Sequence, residues 1–188
     1  MKKLLCSLFA LSAVSTAMAQ EVNIKLLGTS DVHGRIVPWS YGADIEDKSG
    51  SYAQIATYVK DVRKNNKNVV LVEVGDAIQD NQIDVFAKDK KYYKDHPIPK
   101  VLNEMNYDIF VLGNHEFNYG LDYLADAIKQ ANFPIVNANV VKVGTEEPYY
   151  TPYVIQEKTV EDNKGKSHKL KIGYIGFVPP QIMVWDKA

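Results

Sequence analysis

The fold is decided by the stretch Asp108-Ile109-Phe110-Val111-Leu112-Gly113-Asn114-His115-Glu116. Its first half has the length and apolar character of a buried strand, and its second half carries an amide, an imidazole and a carboxylate. Two earlier stretches have the same form: residues 22–27 lead to Asp31-Val32-His33, and residues 69–74 lead to Gly75-Asp76. Ligands of open α/β sheets gather outside the carboxyl ends of the strands. We therefore expect these three strand ends to meet at one site.

Segments with the apolar spacing of helices separate the candidate strands. Strands that alternate with helices along the chain are typical of a mostly parallel sheet, so the sequence predicts the α/β class. The further predicted elements are a helix that begins at Ser51, helices within 101–105 and 121–131, a fourth strand over 134–141, and a hairpin that pairs 153–160 with 169–178.

Two long segments between these elements are predicted to be loops. The first, 36–49, lies over the strand ends, where Trp39 and Tyr41 serve either local packing or stacking on a ring. The second, 77–99, carries His96 directly before a proline. We expect His96 to lie at the surface and do not count it among the candidate ligands.

The first residues have the form of a secretory signal. Lys2 and Lys3 precede an apolar run over 4–14, and small residues end at Ala19, after which we expect cleavage. The apolar run is shorter than the ~20 residues of a membrane span, which makes a retained anchor the weaker interpretation. We expect residues 1–19 to be a signal peptide, the mature chain to be periplasmic or secreted, and no integral membrane segment to remain.

Composition limits the remaining classes. The 188 residues are 46% hydrophobic and 24% charged, which is ordinary for one globular domain. Cys6 is the only cysteine and lies within the predicted signal, so disulfides and thiolate chemistry are excluded from the mature chain. A formal net charge of −1 provides no basic surface for a nucleic acid polymer. A small phosphate ester held by metal ions is compatible with this charge.

The polar residues at the three strand ends form a mixed set of metal ligands. Asp31 and His33 are two residues apart and can reach one ion, while Asp76 is placed to bridge two ions and Asn114 adds an oxygen. Such donors suit Mn, Zn, Co or Fe, and a two-ion centre can hydrolyse phosphate esters. His115 is then the candidate for protonating the leaving oxygen. Taken alone, the pair Asp31 and His33 is more typical of surface polarity, and Asp76 is more typical of an N-cap or turn aspartate.

Taken together and in this order, the three motifs 31–33, 75–76 and 113–116 resemble those of the calcineurin-like metallophosphoesterase superfamily. The stretch 113–121 is more closely similar to the 5′-nucleotidase family, and within it to the bacterial periplasmic enzymes that act on 2′,3′-cyclic nucleotides and 3′-nucleotides. The similarity runs from Val22 to Ala188. It implies a metallophosphatase-like layered α/β sandwich, of which residues 20–188 would be the amino-terminal portion.

The resemblance also implies roles for individual residues. Asp31, His33 and Asp76 would hold one divalent ion, Asp76 and Asn114 would hold a second, and His115 would be the catalytic histidine. The implied substrate is a small nucleotide, and the implied reaction is phosphoester hydrolysis in nucleotide salvage.

The sequence departs from the family pattern in three ways. Asn118 stands where 5′-nucleotidases tend to carry an aspartate that orients the histidine, and a neutral amide stabilises imidazolium less, which favours the cyclic-nucleotide group. Asp80 replaces a usual glycine, and aspartate tolerates the left-handed backbone that glycine adopts. Further metal-binding histidines, including a Gly-His-x-His motif, and a nucleotide-binding domain are not in this sequence. We expect a longer gene product to supply them, and weak metal binding and little turnover from the present chain alone.

Two alternative functions stay open at this point. The same centre could serve a 5′-nucleotidase or a nucleotide-sugar hydrolase. The chain could also be a noncatalytic exported binding protein on a degenerate metallophosphatase scaffold, because a shared fold does not guarantee activity.

Overall fold

The structure is a computed structural model that describes residues 20–89 and 94–185. The predicted signal peptide, residues 1–19, lies outside the described residues. Strands and helices alternate through the first two thirds of the chain, and a 3-10 turn at His115–Phe117 follows the third strand of the main sheet. The other elements, in chain order, are β1 (Lys25–Thr29), β2 (Trp39–Ser40), β3 (Ile45–Glu46), α1 (Tyr52–Asn65), β4 (Val69–Glu73), α2 (Gln82–Lys88), α3 (Pro97–Glu104), β5 (Ile109–Val111), α4 (Leu121–Ile128), β6 (Ile135–Val136), β7 (Tyr153–Glu161), β8 (Ser167–Ile175) and α5 (Ile182–Trp185).

The main sheet is parallel throughout, in the order β1-β4-β5-β6. This confirms the predicted α/β class with a mostly parallel sheet. β1 pairs with β4 over five residues, from Lys25 opposite Val69 to Thr29 opposite Glu73. Since all four strands run in one direction, their carboxyl ends lie along one edge of the sheet.

Two strands differ in extent from the prediction. β1 begins at Lys25 rather than at Val22, and β6 contains only two residues of the predicted 134–141. The cause at β6 is the buried Asn137, whose Oδ1 accepts the backbone N–H groups of Asn139 at 3.2 Å and Val140 at 2.8 Å. An asparagine that bonds the backbone two and three residues onward turns the chain and ends the strand.

The helices pack around one apolar core. α1 begins where the sequence predicted, because the Ser51 side chain accepts the backbone N–H of Gln54 as an N-cap. The longest helix described has 14 residues, and none of the described helices combines the length and apolarity of a membrane span. Fully buried apolar side chains come from α1, the strands, α3 and α4; they include Tyr52, Leu71, Ile98, Leu102, Ile109, Leu112 and Leu124.

The predicted hairpin is confirmed as β7 and β8, which pair over nine residues. Asp162 closes its turn: the carboxylate accepts backbone N–H groups of Lys164 and Lys166, and its other oxygen lies 2.7 Å from His168 Nε2. Asn68 joins the hairpin to the end of α1 and the start of β4, because its side chain both donates to and accepts from the backbone of Glu161.

The two predicted loops contain regular structure. The segment 36–49 includes the short antiparallel pair β2 and β3, in which Trp39 lies opposite Glu46. Trp39 and Tyr41 are 38% and 57% exposed, so local packing does not fully account for either ring. The prediction of a loop over 77–99 was wrong, because α2 begins after Asn81, whose side chain accepts the Ile83 N–H, and α3 begins at Pro97.

The prediction that His96 lies at the surface was also wrong, since this side chain is only 6% exposed. His96 is the N-cap of α3, where its Nδ1 accepts the Ile98 N–H at 3.2 Å. The proton is therefore on Nε2, which donates to the Tyr123 hydroxyl at 2.5 Å, and Tyr123 donates in turn to the Ile78 carbonyl at 3.1 Å. Histidine before a proline at the first helical position acts here as a cap, and the proline has no N–H that needs a partner.

His96 makes stability depend on pH. Burial lowers the pKa of His96 to about 4, below the ordinary 6.5 of the unfolded chain. Between these values the unfolded chain binds a proton that the native state excludes, so the free energy of unfolding falls as the pH drops from 6.5 to 4. We expect His96→Asn, which keeps a cap acceptor but does not titrate, to show a flatter dependence in urea unfolding over this range. His168→Asn on the hairpin is the matched control and should retain the part of the wild-type pH dependence that His96 contributes. If the free energy of unfolding had the same slope against pH in wild type and in His96→Asn, this account would be contradicted.

Candidate metal centre

Three loops at the carboxyl edge of the sheet build the candidate site. The first loop (31–34) follows β1, the second loop (75–77) follows β4, and the third loop (113–116) follows β5. The first and second loops run side by side beyond the last paired strand residues, so the ladder between β1 and β4 continues into the site. Their backbone hydrogen bonds are Asp31 N–H to the Gly75 carbonyl at 3.0 Å, His33 N–H to Asp76 at 2.9 Å, and Gly34 N–H to Ala77 at 2.9 Å.

Glu116 joins the second and third loops. Its carboxylate is fully buried, and Oε2 accepts the N–H groups of Asp76 at 2.8 Å and Gly113 at 2.6 Å. Oε1 accepts the N–H of Ala77 at 2.7 Å. Burial raises the pKa of the Glu116 carboxyl, and these backbone donors act in the opposite direction. One side chain therefore fixes the separation of two loops that carry candidate ligands.

Two glycines let the second and third loops approach closely. A Cβ on Gly113 would overlap the Asp76 carboxylate and come within 2.7 Å of the Asp76 backbone nitrogen. A Cβ on Gly75 would overlap the backbone of Gly113, and Gly75 also has φ of +103°. The glycines before Asp76 and Asn114 are thus required by the contact between the second and third loops.

The loops bring three of the proposed ligands together. One potential ligand atom from each of Asp31, His33 and Asp76 lies within 4.8 Å of the others, and in the described part of the chain this is the one such group of three. His115 lies beside it: its ring centroid is 5.3 Å from that of His33, and its backbone N–H donates to Asp76 Oδ1 at 2.7 Å. Asn114 lies between Gly113 and His115, both of which contact Asp76.

The orientation of His33 suits a metal ligand. Its Nδ1 lies 3.1 Å from the Gln79 carbonyl, which can only accept, so Nδ1 carries the hydrogen. Nε2 then has the lone pair that a divalent ion needs. Histidines that bind metal commonly donate their second ring N–H to a carbonyl or carboxylate in this way.

The backbone at the site is held in an uncommon conformation. Among the described residues, six that are not glycine have positive φ, and four of them belong to this site: Asp31 (+56°), His33 (+48°), Asp76 (+60°) and Asp80 (+78°). Asp80 thus has the left-handed backbone expected where related sequences carry glycine. Such residues cost on the order of 1–3 kcal/mol each and cluster at functional sites. Together with the two carboxylates and the oriented imidazole, this geometry fits a divalent metal ion.

Two buried carboxylates near the loops were not anticipated from the sequence. Glu73 at the end of β4 accepts hydrogen bonds from Thr29 at 2.7 Å and Tyr52 at 3.2 Å, and burial raises its pKa to about 8. Asp84 on α2 lies against Gly34, neither of its oxygens has a hydrogen-bond partner among the described residues, and burial raises its pKa to about 8. The one available signal for Glu73 was a single charge inside an otherwise apolar strand; α2 was predicted as loop, which concealed Asp84.

The family follows from a comparison with known proteins. The model of the calcineurin-like phosphoesterase family matches residues 24–185. The chain belongs to this family. A crystal structure of the calcineurin-like phosphoesterase YfkN from Bacillus subtilis superposes with a TM-score of 0.83 at 47% identity, over 90% of this chain and 52% of that one. The expected metallophosphatase fold is thereby confirmed.

Two relatives show which proteins of the family this chain resembles in sequence. The 2′,3′-cyclic-nucleotide 2′-phosphodiesterase/3′-nucleotidase of Haemophilus influenzae is 56% identical over 187 residues, which cover 97% of this chain and 28% of the relative. The trifunctional nucleotide phosphoesterase protein YfkN of Bacillus subtilis is 48% identical over 177 residues, which cover 90% of this chain and 12% of the relative. The chain therefore spans 28% of the length of the first relative and 12% of the length of the second.

Replacing Glu116 by glutamine tests the link between the second and third loops. Glutamine has one acceptor oxygen, and its amide N–H groups would face backbone donors. We expect the free energy of unfolding, measured in urea with EDTA, to be about 3 kcal/mol lower than in wild type. Hydrogen bonds to charged groups contribute about 1.5–3 kcal/mol. Glu146→Gln, at an exposed position, is the matched control and should leave stability unchanged. Comparable stability of the two variants would show that Glu116 does not hold the loops.

Replacing Gly113 by alanine tests whether loop contact positions Asp76. The new Cβ must displace the Asp76 carboxylate, so we expect Mn²⁺ affinity, measured by isothermal titration calorimetry, to fall by about 10-fold to 100-fold. Gly173→Ala is the control, because a Cβ there meets nothing within 4 Å. Unchanged Mn²⁺ affinity in Gly113→Ala would show that Mn²⁺ binding does not depend on the position that this contact gives to Asp76.

Proposed function

We propose that this protein is a secreted, metal-dependent hydrolase of nucleotide phosphoesters that acts on 2′,3′-cyclic nucleotides and 3′-nucleotides. The observation that carries the proposal is the grouping of Asp31, His33 and Asp76 with a second imidazole, His115, against His33. Family membership supports hydrolysis of a phosphoester, and the name of the relative with 56% identity supports the substrate class.

The proposal includes two divalent ions. Asp31, His33 and Asp76 would hold one, and Asp76 and Asn114 would hold the other, with Mn, Zn, Co or Fe compatible with these donors. The chemistry that bound ions supply is neutralisation of phosphate charge and activation of water near neutral pH. The residues of this chain fix the ligand positions before any ion arrives, through the hydrogen bonds that join the three loops.

His115 is proposed to protonate the leaving oxygen. Its Nδ1 lies 2.7 Å from Asn118 Oδ1, an acceptor, so Nδ1 carries a hydrogen and the ring is held in one orientation. Exchange of a proton with the substrate then takes place at Nε2. As a water oxygen bonds to phosphorus and the P–O bond to the ribose oxygen breaks, the ribose oxygen takes the proton from His115 Nε2 and leaves as an alcohol instead of an alkoxide.

Asn118 supports the choice of substrate class. An amide oxygen orients the His115 ring as a carboxylate would, but it adds no negative charge next to the imidazole. The arrangement therefore stabilises the protonated ring less than an aspartate would. We take this as favouring cyclic and 3′-phosphoesters over 5′-nucleotides.

Two further parts of the proposal concern the whole gene product. Since the chain spans 28% of the relative from Haemophilus influenzae, we propose that residues 20–188 belong to a larger metallophosphoesterase domain and that further ligands come from the rest of it. The signal-like residues 1–19 support a periplasmic or secreted location.

The activity assay uses the full-length protein with Mn²⁺ and 2′,3′-cyclic AMP. We expect His115→Ala to lower kcat by about 10²-fold to 10⁴-fold, as for loss of a general acid, while the Mn²⁺ content stays at the wild-type value. His168→Ala, on the hairpin, is the control and should retain full activity. A His115→Ala enzyme with wild-type kcat would rule out this catalytic role.

Substrate comparison separates the alternatives. The proposal requires a higher kcat/KM for 2′,3′-cyclic AMP and 3′-AMP than for 5′-AMP. Preference for 5′-AMP would indicate a 5′-nucleotidase instead. Hydrolysis of a nucleotide sugar but of none of the three would indicate a nucleotide-sugar hydrolase, and a metal-loaded protein that hydrolyses none of these compounds would indicate a noncatalytic binding protein.

A further inference from the structure

Arg35 lines the same cavity as Asp31 and His33, two of the candidate ligands. This cavity of about 330 Å³ is bordered by Asp31, His33, Asp80 and Asn81, and Arg35 is its one arginine or lysine among the described residues. The other charged side chains at the wall, Asp31 and Asp80, are acidic. A phosphate that enters this space therefore meets a single permanent positive charge from the protein.

The guanidinium of Arg35 is held in place by the loop that follows β3. Its Nη1 donates to Ser49 Oγ and lies 3.3 Å from Asp47 Oδ2. Asp47 in turn accepts the Ser49 N–H at 2.9 Å, and the Ser49 hydrogen bonds together with the Arg35 charge lower the pKa of Asp47. The backbone of Arg35 is fixed as well, because its carbonyl accepts the Tyr52 N–H at 2.9 Å.

These contacts leave part of the guanidinium available. Only Nη1 is engaged, and Nη2 and Nε make no hydrogen bond to any described residue. An arginine presents five N–H donors in a planar fork, which matches two oxygens of a phosphate. The clamp on Nη1 reduces the rotamer freedom that the side chain would otherwise lose on binding an anion.

The amino terminus of α1 does not supply the positive charge that an anion in this cavity would meet. α1 begins beside the cavity, but its first N–H groups are already used: Tyr52 N–H donates to Arg35, Ala53 N–H to Ile36, and Gln54 N–H to the Ser51 side chain. Recognition of an anion on this wall therefore falls to the arginine side chain.

We propose that Arg35, oriented by Asp47 and Ser49, forms an anion subsite that binds the nonbridging oxygens of the substrate phosphate. This inference rests on the proposed function, because two of the proposed metal ligands, Asp31 and His33, line the same cavity as Arg35. A dianionic phosphate monoester gains more from the guanidinium than a monoanionic cyclic diester does. Arg35 is thus a substrate-positioning residue that favours binding of the 3′-monoester.

The test measures binding of inorganic phosphate to full-length, Mn²⁺-loaded protein by calorimetry. We expect Arg35→Gln to weaken binding at least tenfold, and Arg35→Lys to lie between this variant and wild type because an ammonium is a point charge without a fork. The KM for 3′-AMP should rise by a similar factor in Arg35→Gln with kcat within twofold, and the KM for 2′,3′-cyclic AMP should rise less.

Two controls separate anion binding from a structural role. Lys48→Gln makes the same change of charge in the loop after β3, where Lys48 is exposed and pairs with Glu46; it should leave phosphate affinity unchanged. Asp47→Asn weakens the clamp but keeps the Arg35 charge, and should lower the affinity less than Arg35→Gln does. Wild-type phosphate affinity in Arg35→Gln, or an equal loss in either control, would overturn the subsite.

The outcomes also distinguish this inference from the proposed function. If the wild-type protein binds phosphate through Arg35 but hydrolyses no nucleotide, the proposed function fails and the anion subsite stands. If nucleotides are hydrolysed and Arg35→Gln binds phosphate as wild type does, only the subsite fails.

Discussion

The candidate centre depends on one buried carboxylate that gathers three backbone N–H groups from two loops. β4 and β5 pair only through Val72 with Ile109 and Glu73 with Phe110, so the strands alone do not define how far apart the following loops lie. Beyond the last paired residues, the Glu116 carboxylate sets this separation by accepting the backbone N–H groups of Asp76, Ala77 and Gly113. Removing a carboxylate from such a position leaves buried donors without partners, which is why this single side chain governs the geometry of the site.

Around this link, the folded protein holds strained backbone and buried carboxyl groups at the candidate centre. Asp31, His33 and Asp76 hold left-handed backbone, which persists only where the surrounding structure enforces it. The hydrogen bonds between the first and second loops provide that enforcement. The buried Glu73 and Asp84 carboxyls, whose pKa values burial raises, lie on the strand and helix next to the same loops. The candidate ligands Asp31, His33 and Asp76 are therefore held close together by the fold itself, which would lower the cost of organising them around a cation.

The sequence predicted the strand-helix alternation and the meeting of three strand ends, because hydrophobic periodicity and parallel topology are local or nearly local signals. It did not reveal the role of Glu116, since a carboxylate that accepts backbone N–H groups from a loop 40 residues away has no pattern along the chain. It misplaced His96 for a related reason: its burial follows from the packing of α3 against Tyr123. The end of β6 at Asn137 likewise depends on side-chain hydrogen bonds that strand propensity does not include. The strands of the main sheet and most helices were thus predictable, α2 and the short pair of β2 and β3 were missed, and the contacts that tune the site were tertiary.

The left-handed backbone at the ligand positions restricts how this centre can change in evolution. Aspartate, asparagine and glycine tolerate positive φ, whereas glutamate, with its longer side chain, and β-branched residues do not share that preference. At the candidate ligands Asp31 and Asp76, asparagine is therefore the favoured replacement, because it keeps an oxygen donor but removes a charge. His33 has φ of +48°, so few residue types can replace it without backbone strain. Metal preference in such a scaffold can drift through changes of charge at fixed positions more readily than through changes in the length of the ligand side chain.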